Sequence, residues 1–109
     1  MGITKTDIYA DKDNQLAAIL KVLGHPARIA ILQHIIDTNS CICNDLVEEL
    51  GLAQATISQH LKELKSIGII KGTIEGKSVC YCIDENIWQA IQSQIQQFFA
   101  QNVQVNQCC

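Results

Sequence analysis

The chain has 109 residues, 48% of them apolar, with six cysteines, one proline and a net charge of −3. That length supports one domain and little more, and a domain so small gains by burying surface in an oligomer. The acidic balance excludes a uniformly basic nucleic-acid-binding coat, yet residues 54–77 carry Lys62, Lys65, Lys71 and Lys77 against only Glu63 and Glu75, a local positive patch of the kind a phosphate backbone meets.

In chain order, residues 1–12 are polar and mixed and read as a loose arm, followed by one domain over 13–101 and a frayed tail over 102–109. From Asn14 the apolar positions Leu16, Ile19, Leu20 and Leu23 recur at helical spacing until Gly24. His25-Pro26 opens a second helix, with proline in the first turn where its missing N–H costs nothing. Ile29, Leu32, Ile35 and Ile36 are expected on one side of it. A short third helix is capped by Asn44 or Asp45, turns Leu46, Val47 and Leu50 inward, and stops at Gly51. Only Leu52 and Ala53 separate it from a fourth helix, roughly 54–67, whose inner positions are Ile57, Leu61 and Leu64. After Gly68 the period changes from 3.6 to 2. Ile70, Gly72 and Ile74 alternate with Lys71, Thr73 and Glu75, Glu75-Gly76-Lys77-Ser78 is a turn, and Val79, Tyr81 and Ile83 alternate with Cys80 and Cys82, which makes a β-hairpin. Asp84 caps a last helix bearing Ile87, Ile91, Ile95, Phe98 and Phe99. The fold class is therefore mainly α with a small β-hairpin wing, a winged helix-turn-helix of order α-α-α-α-β-β-α.

Two helices joined by a tight turn containing glycine, the second of them polar on one face, match the helix-turn-helix motif. Such a helix must enter a groove about 12 Å wide and offer short polar side chains to base edges. Gln54, Thr56 and Gln59 suit that task, and Lys62 and Lys65 lie where phosphates pass. The helix begins at Ala53-Gln54 without a Ser, Thr or Asp cap, a loss of about 1 kcal/mol relative to serine.

The stretches LKVLGHPARIAILQHI and CNDLVEELGLAQATISQHLKELKSIGIIKGTIEGKSVCYCID resemble the ArsR/SmtB family of metal-sensing repressors. The likeness spans about residues 14–100 and is most specific at GHPAR (24–28), ISQHLKEL (57–64) and EGKSVCY (75–81). It implies a winged-helix homodimer, paired through its first and last helices, that binds an inverted-repeat operator in double-stranded DNA and releases it when an inducer binds. By position, Gln54, Thr56, Ser58, Gln59 and His60 are implied to face DNA, with Lys77 on the wing. The family's sensor site built from an Asp-x-His pattern and a later histidine pair is absent, because DENIWQAIQSQIQQFF contains no histidine.

The cysteines are the remaining chemistry. Cys41-Ile42-Cys43 stands where arsenite, lead and cadmium sensors of this family carry a C-x-C pair, and soft thiolates suit arsenite or thiophilic ions such as Zn, Cd and Pb as inducer. Here Asn44 intervenes before Asp45, which displaces the pair by one residue, a rotation of about 100° on a helix. Cys80 and Cys82 share the outer face of the second wing strand, about 6.5–7 Å apart and so too far to bond to one another. They complete a four-thiolate site with Cys41 and Cys43 only if the wing base approaches that segment. Cys108-Cys109 is a further adjacent pair suited to As(III). With no leader and no apolar run of the roughly 20 residues a membrane span needs, the expectation is a cytoplasmic protein with no membrane contact, its cysteines thiols rather than disulfides. Two rival functions stay open: a thiol-redox-responsive repressor of the same fold, and a dimeric interaction module that binds no DNA. No nucleophile, base and orienting group converge in any motif, so the chain reads as a non-enzyme.

Overall fold

The structure, a computed structural model, describes residues 8–43, 50–76 and 79–105. Helix α1 spans Asp11–Leu23, with Asp11 and Asp13 in its first turn and Lys21 in its last, the charge order that complements a helix dipole. Helix α2 spans Pro26–Thr38; its N-cap His25 accepts a hydrogen bond from the Ala27 N–H at 3.1 Å. Asn39 ends it in the left-handed region at φ 55°, a conformation that asparagine tolerates better than most residues. Helix α3 spans Gln54–Ser66, strands β1 and β2 are Ile70–Thr73 and Cys80–Ile83, and helix α4 spans Glu85–Phe99. The Asp84 carboxylate accepts from the N–H groups of Asn86 and Ile87 at 3.0 and 3.1 Å, so the expected cap is present.

Except for Leu50, the expected helix between Asn44 and Gly51 lies outside the described residues, as do Lys77, Cys108 and Cys109. Gly51 has a φ of 68°, the left-handed stop read from its position.

The core is shared by α2, α3 and the hairpin: Ile31, Leu32, Ile35, Ile57, Leu61, Leu64, Ile69, Ile70 and Tyr81 are buried, joined by Val22, Ile42 and Ile91. Two faces differ from expectation. On α2 the buried side is Ile31, Leu32 and Ile35, while Ile29 and Ile36 are exposed. The segment IAILQHII is apolar almost all round, so its period does not choose a face. On α4 only Ile91 is buried, and Phe98 and Phe99 lie open at the far end.

The hairpin is antiparallel with Ile70 opposite Ile83, Lys71 opposite Cys82, Gly72 opposite Tyr81 and Thr73 opposite Cys80. Gly72 has a φ of 112°, and a Cβ there would run into the Cys80 carbonyl oxygen, so this position accepts only glycine without the strand moving. On the other edge of β2, Ile42 pairs with Tyr81 in an isolated antiparallel bridge, exchanging N–H···O bonds of 2.8 and 2.9 Å. The two-stranded wing thereby acquires a one-residue third rung. No single helix among the described residues is long and apolar enough to cross a membrane.

Candidate nucleic-acid interface and cysteine ladder

Helix α3 is anchored by Ile57, Leu61 and Leu64, which leaves Gln54, Thr56 and Gln59 exposed on the opposite face. Ser58 is half-buried and faces the Gln54 side-chain amide at 3.4 Å, and the Gln59 amide donates to Glu63 at 3.3 Å. Ala53 provides no side-chain cap, as its methyl group dictates.

His60, expected to face DNA, is instead turned inward and is 7% exposed. Its Nδ1 accepts from the Arg28 Nε–H at 3.1 Å, while Arg28 Nη1 donates to the Val22 carbonyl at 3.1 Å. The His25 ring packs against it with centroids 4.5 Å apart. Burial, reinforced by the charges of His25 and Arg28, holds the His60 pKa below its ordinary value. A neutral ring is also what the Arg28 hydrogen bond needs, since that bond uses the Nδ1 lone pair. His60 is thus a structural hinge pin tying α3 to the start of α2. Its place was available in the pattern: positions 57, 60, 61 and 64 follow the i, i+3, i+4, i+7 rule for an inner face. Arg28 lies within GHPAR, but nothing local in the sequence indicates its partner 32 residues away.

The two lysines expected at phosphates are already engaged. Lys62 Nζ forms an ion pair with Glu75 at 3.1 Å, and Lys65 Nζ donates to the Gly72 carbonyl at 2.7 Å. Both bonds run from α3 to the wing, so one polar seam sets the angle between helix and hairpin.

The cysteine ladder was not foreseen in this form. Cys41 and Cys43 stand on an extended segment rather than inside a helical turn, and the Ile42–Tyr81 bridge places Cys41 against Cys82 and Cys43 against Cys80. The Cα–Cα distances are 4.3 and 4.0 Å, the close spacing of positions that flank a hydrogen-bonded antiparallel pair. Since residues at i and i+2 share a face, all four sulfurs emerge on one side. The expectation of thiols throughout is corrected here: the structure joins these four as two disulfides, Cys41–Cys82 and Cys43–Cys80. Cys80 and Cys82 are not bonded to one another, as their spacing along the strand required. Among the described residues no group of three or more His, Cys, Asp or Glu side chains is arranged to hold a metal ion.

Comparison with known proteins decides what this architecture is for. Residues 25–71 match the family model described as bacterial regulatory protein, arsR family. The chain is 36% identical over 83 residues to an uncharacterized HTH-type transcriptional regulator of Methanocaldococcus jannaschii, a match covering 74% of this chain and 92% of that protein. The chain belongs to the ArsR family. It is also 30% identical over 99 residues to the HTH-type transcriptional regulator CmtR of Mycobacterium bovis, covering 90% of this chain and 81% of CmtR. Against the HTH-type transcriptional repressor SmtB of Mycobacterium tuberculosis it is 38% identical over 63 residues, 58% of this chain and 46% of SmtB. This ArsR-family chain is a DNA-binding transcriptional regulator and not an enzyme.

Proposed function

We propose that this protein is a homodimeric repressor that reads an inverted-repeat operator with α3 and its wing, and that thiol chemistry at the cysteine ladder releases it. The single observation behind the release is the facing of Cys41 and Cys43 with Cys82 and Cys80 across one bridge. That bridge ties the base of the wing to the segment leading into the helix-turn-helix. Gln54, Thr56 and Gln59 are the base-reading side chains in this proposal, with Ser58 as a minor contact and Lys62, Lys65 and Lys77 toward phosphate. A dimer built on α1 and α4 is supported by the open Leu20, Phe98 and Phe99, the last 75% exposed.

Reduced, the ladder offers soft thiolates to arsenite or to Zn, Cd or Pb. Thiolates around one tetrahedral ion lie within about 4 Å of each other, whereas residues two apart on a strand are separated by about 6.6 Å. One ion therefore has to draw the four side chains inward from their strand positions, and in this proposal that pull distorts the Ile42–Tyr81 rung and frees the reading head. Cys108 and Cys109 are left as auxiliary ligands in this scheme.

A second reading, thiol oxidation, is favoured by the pairing of the four cysteines as disulfides. Fluorescence anisotropy with a duplex from the chain's own promoter region separates the two. Arsenite or Cd(II) releases the fully reduced protein under the first reading, while diamide releases it, with recovery by dithiothreitol, under the second. Binding unaffected by both reagents overturns thiol control. A monomer in sedimentation at micromolar concentration, or a Phe98→Glu variant that remains a dimer, overturns the assembly.

A further inference from the structure

The two cysteine pairs are not equivalent. In the register of the hairpin, Lys71 is the β1 partner of Cys82, so the row across the sheet reads Cys41, Cys82, Lys71 on one face. The next row reads Cys43, Cys80, Thr73 and has no cation. Cross-strand partners that share both hydrogen bonds have Cα atoms about 5.5 Å apart, within reach of a lysine side chain. A neighbouring ammonium lowers a thiol pKa and raises its thiolate fraction. Cys82 therefore has a lysine as its cross-strand partner, bordering the same groove, and a second thiol in bonding range on the other side, the placement of an attacking thiol next to a resolving one.

The same row opens onto a groove of about 610 Å³ between the end of α2, the hairpin and the start of α4. Ile35, Ile36, Ile83 and Trp88 supply its apolar wall, with Cys41, Cys82 and Lys71 at one side. Asn39, Ser40 and Gln89 add uncharged polar groups, and Glu85 is its acid. Cys43 and Cys80 do not border it. A mostly apolar pocket with a few convergent polar groups is the usual form of a small-molecule site.

We infer that the row Cys41–Cys82–Lys71 and the groove beside it form a reaction site for an organic hydroperoxide, whose alkyl or aryl group lies against Trp88 and Ile36. The inference rests on the oxidation reading above and names its oxidant. The Cys82 thiolate attacks the outer peroxide oxygen, breaking the O–O bond. The products are Cys82 sulfenic acid and an alkoxide, which takes a proton from water and leaves as the alcohol. The Cys41 thiol then attacks the Cys82 sulfur, forming the disulfide and expelling water. Two thiols lose two electrons in total, the peroxide gains them, and the oxygens end in one alcohol and one water.

The experiment uses full-length reduced protein. Cumene hydroperoxide and hydrogen peroxide are compared by stopped-flow fluorescence of Trp88, the chain's one tryptophan, and by mass mapping of which pair closes first. The inference expects cumene hydroperoxide to react at least tenfold faster than hydrogen peroxide and Cys41–Cys82 to close before Cys43–Cys80. Cys41→Ser should accumulate a sulfenic acid on Cys82 that dimedone traps. Lys71→Met should slow the first step about tenfold, and Lys71→Arg should restore most of the rate. Equal rates for the two peroxides, first closure at Cys43–Cys80, or a rate indifferent to Lys71→Met in a protein with unchanged circular dichroism each overturns it. Diamide, which needs no groove, keeps the two claims apart. If diamide closes the disulfides and DNA binding is unchanged, the regulatory reading fails, while the peroxide rates are judged on their own.

Discussion

Glu75 holds Lys62 on the wing, so Glu75→Gln should tighten operator binding. The ion pair is 3.1 Å long and both side chains are more than half exposed, at 53% and 60%. In that setting such a pair contributes about 0.2–1 kcal/mol, and Lys62 must forgo it to meet a phosphate. The carboxylate then remains beside the backbone it has just released. At roughly 7 Å in water its repulsion of one phosphate is about 0.6 kcal/mol. The two terms together come to about 1 kcal/mol per protomer, hence about 2 kcal/mol, or about 30-fold in affinity, for the proposed dimer at low salt. The salt dependence carries the sharper signature, because each additional phosphate neutralised steepens the slope of log K against log salt by about 0.9. In the proposed dimer, Glu75→Gln should therefore show a slope steeper by up to about 2, with thermal stability lower by less than 1 kcal/mol. Fluorescence anisotropy from 50 to 300 mM salt measures both quantities. Unchanged slope and affinity would show that Lys62 does not meet phosphate and that the seam from α3 to the wing is purely structural.

Three further outcomes follow from the packing. The depressed pKa of His60 means that the unfolded chain takes up a proton more readily there than the folded one. Its contribution to stability is present above pH 6.5 and is lost as pH falls through the lower folded-state value; denaturant melts should show this loss, and His60→Gln should flatten it. Gly72→Ala forces a left-handed φ and a collision with the Cys80 carbonyl, so it should cost about 1–3 kcal/mol and raise hydrogen exchange first in the wing. Leu61→Ala, at a position 3% exposed in the core, should cost about 2–5 kcal/mol in urea titrations; a loss below 1 kcal/mol would contradict the inward packing of α3.

What was legible in the sequence was local. The 3.6-residue period over Ile57, Leu61 and Leu64 and the change to alternation after Gly68 placed α3 and the hairpin. Single residues with one conformational preference, Pro26, Gly51 and Asp84, marked the boundaries. Where a segment is apolar on every side, as in IAILQHII, the period carries no direction and the buried face was misjudged. His60 was assigned outward because the family resemblance carried it to DNA by position, although its spacing from Ile57 and Leu64 pointed inward. The ladder was illegible for a different reason. Alternation put Cys80 and Cys82 on one face, but the pairing of residue 42 with residue 81 is a contact across nearly 40 residues, and no local propensity encodes it.

That non-local contact also determines how chemistry on the ladder reaches the rest of the fold. Tyr81, between the two cysteines of β2, is 1% exposed and packs in the core. Its N–H and carbonyl hold Ile42, and the Asp84 N–H just beyond β2 donates to the Ile69 carbonyl at 2.9 Å. Strand β2 therefore cannot slide or lift when Cys80 or Cys82 changes partner, because both its centre and its exit are fixed. Apart from the disulfides themselves, the segment carrying Cys41 and Cys43 is held among the described residues by the Ile42 rung and the buried Ile42 side chain. Any change in bonding between the two must be absorbed by the weaker side, and that side leads directly into the helix-turn-helix. The asymmetry makes residues 41–43 the moving part and the wing the anchor, so a probe at residue 40 should report the thiol state and a probe at residue 74 should not.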